Sequence, residues 1–125
     1  MRQISNAEME VMLAVWNMGR TVTSADVITC LDRKDWKKTS VLTFLSRLVD
    51  KGYLSCQKEG RVNYYAPRIT YEEFSKKEGR MMLKKLYHNS VKMFVSTLYD
   101  GKELDMEEIE ELKTYLDSLE KGRRK

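Results

Sequence analysis

Between Lys37 and Arg47 the chain sets Lys37, Lys38, Thr39, Ser40, Thr43, Ser46 and Arg47 in close succession. Hydroxyls and guanidinium groups are the donors and acceptors that read base edges in a major groove, and ammonium groups neutralise phosphates. Lys58 and Arg61 follow on either side of Glu59-Gly60, with Tyr65 beyond them. From Arg33 to Arg68 there are nine Lys/Arg against three acids, a surplus of six, whereas the whole chain carries only +4. Charge gathered in this way is the footprint of a phosphate-binding face. Taken singly, each polar residue would do no more than solvate a helix. Together they favour double-stranded DNA, with Thr43 and Arg47, one turn apart, as base or phosphate readers. Lys37, Lys38, Thr39 and Ser40 sit at a helix start, where free amides and the dipole favour phosphate.

Catalytic and metal chemistry find little support. There is one histidine, His88, and no HExxH, Gly-rich phosphate loop, GxSxG or zinc-like Cys/His spacing. Neither an enzyme, a metal site nor a cofactor is expected. Cys30 and Cys56 read as small, reduced core residues, with a thiol switch as the alternative use. Met1 to Ser5 has no apolar signal core, and no stretch approaches the roughly 18 apolar residues that span a bilayer. A cytoplasmic protein without membrane insertion is expected.

The elements that must position these groups announce themselves by their starts. Ser5 with Glu8, Thr23 with Asp26, Thr70 with Glu73, and Asp105 with Glu108 each combine a capping residue, an acid three positions on and a flanking apolar pair. The first helix spans about Asn6 to Met18, with Met9, Met12, Leu13 and Trp16 on its buried face. The second spans about Ser24 to Leu31. A charged connection, Asp32 to Asp35, leads through Trp36, an anchor, to a third helix, about Lys38 to Lys51. That helix buries Val41, Leu45 and Leu48, with Phe44 and Val49 alongside.

Two strands follow, Tyr53 to Lys58 and Arg61 to Ala66, turned at Glu59-Gly60 and ended by Pro67. Alternation puts Leu54 and Cys56 inside on the first strand. It puts Val62, Tyr64 and Ala66 inside on the second, leaving Tyr65 outside as a DNA contact. Three helices and a two-stranded hairpin share one core as a winged helix-turn-helix. The fold class is mainly α: a winged-helix domain over 1–68 and a helical dimerisation domain over 69–125.

The second domain has helical patterns over about Tyr71 to Tyr87, Val91 to Tyr99 and Met106 to Leu119. Their stripes, Phe74, Leu83 and Leu86, then Val91, Phe94, Val95 and Leu98, then Ile109, Leu112, Leu116 and Leu119, are too little for a monomeric core. They suit helices interlocked between two copies. Lys76 to Lys92 carries six basic residues against Glu78, while Asp100 to Glu120 carries nine acids against Lys102 and Lys113. The basic tail Lys121 to Lys125 reads as a frayed end.

Several runs then point to a family. Ile4 to Met12, Trp16, Asp35-Trp36, Thr43-x-x-x-Arg47-Leu48-x-x-Lys51-Gly52, Lys58-Glu59-Gly60-Arg61, Tyr64-Tyr65 and Ile109-Glu110-Glu111-Leu112 resemble the penicillinase-repressor (BlaI/MecI/CopY) family. The resemblance implies a homodimeric bacterial transcriptional repressor that binds a palindromic operator, in one branch that of beta-lactam antibiotic-resistance genes. It also implies a membrane sensor metalloprotease as partner, triggering cleavage at a position that maps to Thr97-Leu98, where that branch carries Asn-Phe. Relatives often open the recognition helix with Ser-Pro-Lys-Thr and carry Arg three residues after that Lys. This chain has Lys37-Lys38-Thr39-Ser40 and Leu42. The copper-sensing branch's terminal Cys-x-Cys pair is absent. Two other readings of the residues stay open: a winged-helix adaptor for an acidic protein, and a redox-sensing repressor working through Cys30 or Cys56.

Overall fold

The computed structural model describes residues 2–32 and 35–123, so Arg33 and Lys34 of the basic stretch, and Arg124 and Lys125 of the tail, lie outside the described residues. The order is α1 (Asn6–Met18), β1 (Val22–Thr23), α2 (Ser24–Cys30), α3 (Lys38–Asp50), β2 (Leu54–Glu59), β3 (Val62–Pro67), α4 (Tyr71–Tyr87), α5 (Val91–Asp100) and α6 (Met106–Arg123). The chain divides into two units, Met1–Lys76 and Lys77–Lys125. The division falls inside α4, eight residues beyond the expected boundary at Arg68.

The helix starts form as their sequences dictate. Ser5 N–H donates to Glu8 Oε1 at 2.8 Å while Glu8 N–H donates to Ser5 Oγ at 3.1 Å. Thr23 and Asp26 exchange the same pair at 3.0 and 3.1 Å. Each box satisfies two donors that a helix leaves orphaned at its start. Thr70 and Glu73 do likewise, and Asp105 Oδ1 accepts from Glu108 N–H.

The first unit is a winged helix. β2 and β3 pair antiparallel, and the two-residue β1 pairs with β3, giving a three-stranded sheet in the order β1-β3-β2. β1 goes unannounced in the sequence, because two residues carry no alternation to detect. The core gathers Val11, Met12 and Val15 from α1, Val27 from α2, Val41, Leu45 and Leu48 from α3, and Val22, Leu54 and Tyr65 from the sheet. The buried face of α1 is thus one position round from the expected stripe, and Leu13 is exposed.

The first position of that stripe is Glu8, an acid only 1% exposed. Its Oε1 accepts from Lys51 Nζ at 2.6 Å, so the pair joins the start of α1 to the end of α3. Burial alone would push the Glu8 carboxyl up. The bond from Lys51 and the Ser5 amide outweigh it and hold the carboxyl below its ordinary value.

Phe74 corrects the assignment of that residue to dimerisation. It is buried in the first unit, its ring centroid 5.2 Å from that of Trp16 and 5.9 Å from that of Tyr53. Trp16 Nε1 donates to the Ile69 carbonyl at 3.0 Å, which fastens the segment entering α4 to α1 and brings Phe74 inward. Trp36 packs on Phe44, centroids 5.2 Å apart, as an anchor should. Cys30 and Cys56 are both exposed rather than core residues.

In the second unit, Leu86 and Val91 are 59% and 62% exposed, and Leu116 and Leu119 are exposed as well. Leu83, Phe94, Val95, Leu98, Ile109 and Leu112 are half-buried. Ser90 caps α5 through Met93 N–H at 3.0 Å.

Because Glu8 is buried and Lys51 partly solvated, the two partners should respond unequally to substitution. Lys51→Met strands the carboxylate and should cost about 3 kcal/mol. Glu8→Gln keeps an acceptor for the Ser5 amide and should cost about 1–2 kcal/mol. A carboxyl held below its unfolded value stabilises fully above that value and loses its contribution as pH falls through the folded one. Urea midpoints between about pH 7 and about pH 3 should therefore fall less in Glu8→Gln than in the parent.

Candidate nucleic-acid interface

α3 turns Val41, Leu45 and Leu48 into the core, and its opposite face leaves Thr39, Leu42, Thr43, Ser46 and Arg47 exposed. Lys37 and Lys38 are also exposed, and Ser40 is half-buried. Thr43 Oγ1 donates to the Thr39 carbonyl at 2.9 Å, which settles the rotation of that hydroxyl.

The start of α3 differs from every other described helix start. Lys37 stands at the capping position with no side-chain hydrogen bond to the helix, and the first turn holds no acid. The other described helices are capped by Ser5, Thr23, Thr70, Ser90 and Asp105. A helix start without a cap keeps free amides and the positive end of its dipole. With Lys37 and Lys38 beside it, that end of α3 suits a phosphate.

The wing supplies the flank. Glu59 pairs with Val62, so the turn is Gly60-Arg61, one residue later than expected, with Gly60 at φ 64°. Lys58 and Arg61 are exposed at the tip. Between α3 and the wing runs a groove of about 310 Å³ lined by Leu42, Ser46, Val49, Asp50, Cys56, Asn63 and Tyr65. Asn63 pairs with Lys58 across the hairpin and brings an amide to the groove that sequence reasoning missed.

Tyr65 is the residue for which the expectation fails. It is 5% exposed and belongs to the core, while Val62 is exposed and Tyr64 half-buried. A two-residue turn pairs even-numbered positions of β2 with odd-numbered positions of β3, here Leu54 with Pro67 and Cys56 with Tyr65. Cross-strand partners share a face. Once Leu54 faces the core, Tyr65 must face it too. Burial also pushes the Tyr65 phenol up from its ordinary value, with Cys56 adding to the effect.

At the other end of α3, Arg47 shares a cleft of about 350 Å³ with Arg2, Ser5, Glu8, Asp50 and Lys51. Arg2 Nη2 donates to the Asp50 carbonyl at 3.1 Å, and the Arg2 carbonyl accepts from Tyr53 Oη at 2.7 Å. Arg2 thereby stands beside Arg47 as a second guanidinium at this edge. No motif marks it, because its position depends on contacts with Asp50 and Tyr53.

A polar recognition helix with an uncapped basic start, flanked by a basic hairpin, defines a winged-helix DNA-binding protein. A family model described as penicillinase repressor matches residues 4–118, and the chain belongs to that family. The penicillinase repressor of Bacillus licheniformis is 32% identical over 123 residues, covering 98% of this chain and 95% of that protein. Methicillin resistance regulatory protein MecI of Staphylococcus aureus (strain N315) is 27% identical over 115 residues, covering 91% of this chain and 93% of that one. Among solved structures, the DNA binding domain of the repressor BlaI aligns with a TM-score of 0.51 and 39% identity, over 57% of this chain and 87% of that one. A mutant of MarR from E. coli aligns over 94% of this chain and 78% of its own, with a TM-score of 0.52 and 15% identity, a likeness of fold.

The inward Tyr65 and the outward wing tip should separate on substitution. Tyr65→Ala should lower stability by about 3 kcal/mol through lost core packing. The double change Lys58→Ala with Arg61→Ala should leave thermal midpoints within about 2 °C of the parent while making DNA affinity less steeply dependent on salt.

Proposed function

We propose that this chain is a homodimeric transcriptional repressor of the bacterial cytoplasm that binds a palindromic operator in double-stranded DNA. The outward face of α3, with its uncapped basic start and the wing that flanks the later turns of the helix, carries this reading. Thr39, Thr43, Ser46 and Arg47 face the groove in it. Lys37, Lys38 and Ser40 meet phosphates at the helix start, and Lys58 and Arg61 meet them from the wing. The named relatives are a penicillinase repressor and a methicillin resistance regulatory protein, which supports control of beta-lactam resistance genes as the role.

Dimerisation falls to α4, α5 and α6. Leu86, Val91, Leu116 and Leu119 are exposed, and a monomer that leaves so many large aliphatic groups in water forgoes the burial that stabilises other helices. Leu83, Phe94, Val95, Leu98, Ile109 and Leu112 complete the faces that a second copy would cover. Two recognition helices related by a two-fold axis read half-sites about one helical turn of DNA apart, or a multiple of it.

Proteolytic release by a membrane sensor metalloprotease belongs to the same reading, with Thr97-Leu98 as the bond cut. That bond lies within α5. The Thr97 carbonyl accepts from Gly101 N–H at 3.1 Å and the Leu98 carbonyl from Glu103 N–H at 2.9 Å. Cleavage would require the end of α5 to open first.

Arg47→Ala should weaken specific duplex binding by about 1–3 kcal/mol, roughly ten- to a hundredfold, with the thermal midpoint unchanged. Fluorescence anisotropy titration at fixed salt measures it, and unchanged affinity would remove Arg47 from the interface. For assembly, Leu86→Asp with Leu116→Asp should convert the full chain from dimer to monomer in sedimentation velocity. A parent chain that already sediments as a monomer at tens of micromolar would defeat the dimer.

A further inference from the structure

Where the sheet hands over to α4 lies a cleft of about 480 Å³ within the first unit. The end of α1, the end of β3 and the start of α4 enclose it. Its lining includes Trp16, Arg20, Arg68, Tyr71 and Glu72, and nothing in DNA binding uses it. We propose that this cleft is a binding site for a small aromatic carboxylate.

Three features specify that chemistry. First, one wall is aromatic: Trp16 and Tyr71 meet edge to face, centroids 5.6 Å apart, and Val15 and Pro67 add apolar lining. Trp16 Nε1 is already committed to the Ile69 carbonyl, so the indole offers the cleft an apolar ring held in place, not a donor. Such a wall suits a flat ring.

Second, Arg20 is held ready. Its Nη1 donates to the Thr21 carbonyl at 3.1 Å and to Asp26 Oδ2 at 3.0 Å. Those bonds fix the guanidinium and leave Nη2 and Nε without a hydrogen-bond partner among the described residues. A carboxylate takes such donors two at a time, and fixing them beforehand lowers the cost of binding. Third, Arg68 supplies a second cation whose side chain makes no ion pair among the described residues. Glu72 is the one acid on the lining, and Asp26, off the lining, pairs with Arg20, so Arg68 is the cation with no such partner to offset it.

The site also has a consequence for the chain. Ile69, Thr70 and Tyr71 line the cleft and lead into α4, which continues unbroken from the first unit into the second. A ligand seated there touches the first turn of α4, inside the first unit.

Benzoate is the test probe, with acetate as the ring-free control and benzyl alcohol as the charge-free one, each titrated into the full 125-residue chain. Amide chemical shifts report the location. The expected result is a saturable shift with benzoate at Thr21 and at Ile69 to Glu72, and binding at least about tenfold weaker for both controls. Arg20→Gln and Arg68→Gln should each weaken benzoate by about ten- to a hundredfold. Either variant suffices, since both side chains lie outside the core. No saturable shift at these amides, or equal affinity for benzyl alcohol, would overturn the site. The readout needs no DNA, so its failure is distinct from failure of the repressor reading.

Discussion

Lys51 reaches from the end of α3 to Glu8, the one buried charged residue among those described, at 2.6 Å. Two constraints meet in that carboxylate. It closes the capping box that starts α1, and it anchors the far end of the helix that carries the recognition face. An ion pair taken out of water adds little net stability over an apolar pair of the same shape, but it tolerates only one geometry. Any placement of α3 that parts Lys51 from Glu8 would leave the buried carboxylate without its cation. Glu8 Oε2 has no hydrogen-bond partner among the described residues, so the carboxylate depends the more on its single cation.

Much of this architecture is legible in the residues, and the places where it is not share a cause. Local rules succeed: α1 and α4 begin and end where their caps, periodicity and glycine or turn residues say, and reciprocal capping at Ser5, Thr23 and Thr70 is present as expected. Facing is harder. The stripe of α1 misleads because its first member is an acid, and hydrophobic periodicity does not count Glu8 as buried. Tyr65 turns the other way because alternation treats each strand by itself, whereas the register links them. Phe74 reads as part of the second unit because a helical stripe does not say which neighbour it meets, and the Trp16 bond to Ile69 that decides the matter spans 53 residues of chain.

The recognition surface is legible in a different sense. Its residues are visible as a cluster of donors and cations, but the feature that sets α3 apart is an absence. Where other helices begin with an oxygen that satisfies their first amides, α3 begins with a lysine. The site's charge is thus built partly from backbone, and counting side chains underestimates it. The second unit reverses the balance: its stripes are plain in the sequence, while its exposed leucines and valine remain without an intrachain covering among the described residues.

Thr43 illustrates how one internal bond edits a chemical vocabulary. A free threonine hydroxyl rotates and serves any base edge, as donor or acceptor. Here the proton is spent on the Thr39 carbonyl, one turn back. What remains outward is a lone pair and a methyl group. Such a residue is complementary to the exocyclic amino group of adenine or cytosine and to the methyl of thymine, but has nothing to give the carbonyl and ring nitrogen of guanine. The helix interior thereby narrows the hydrogen-bonding roles left to this position of the surface.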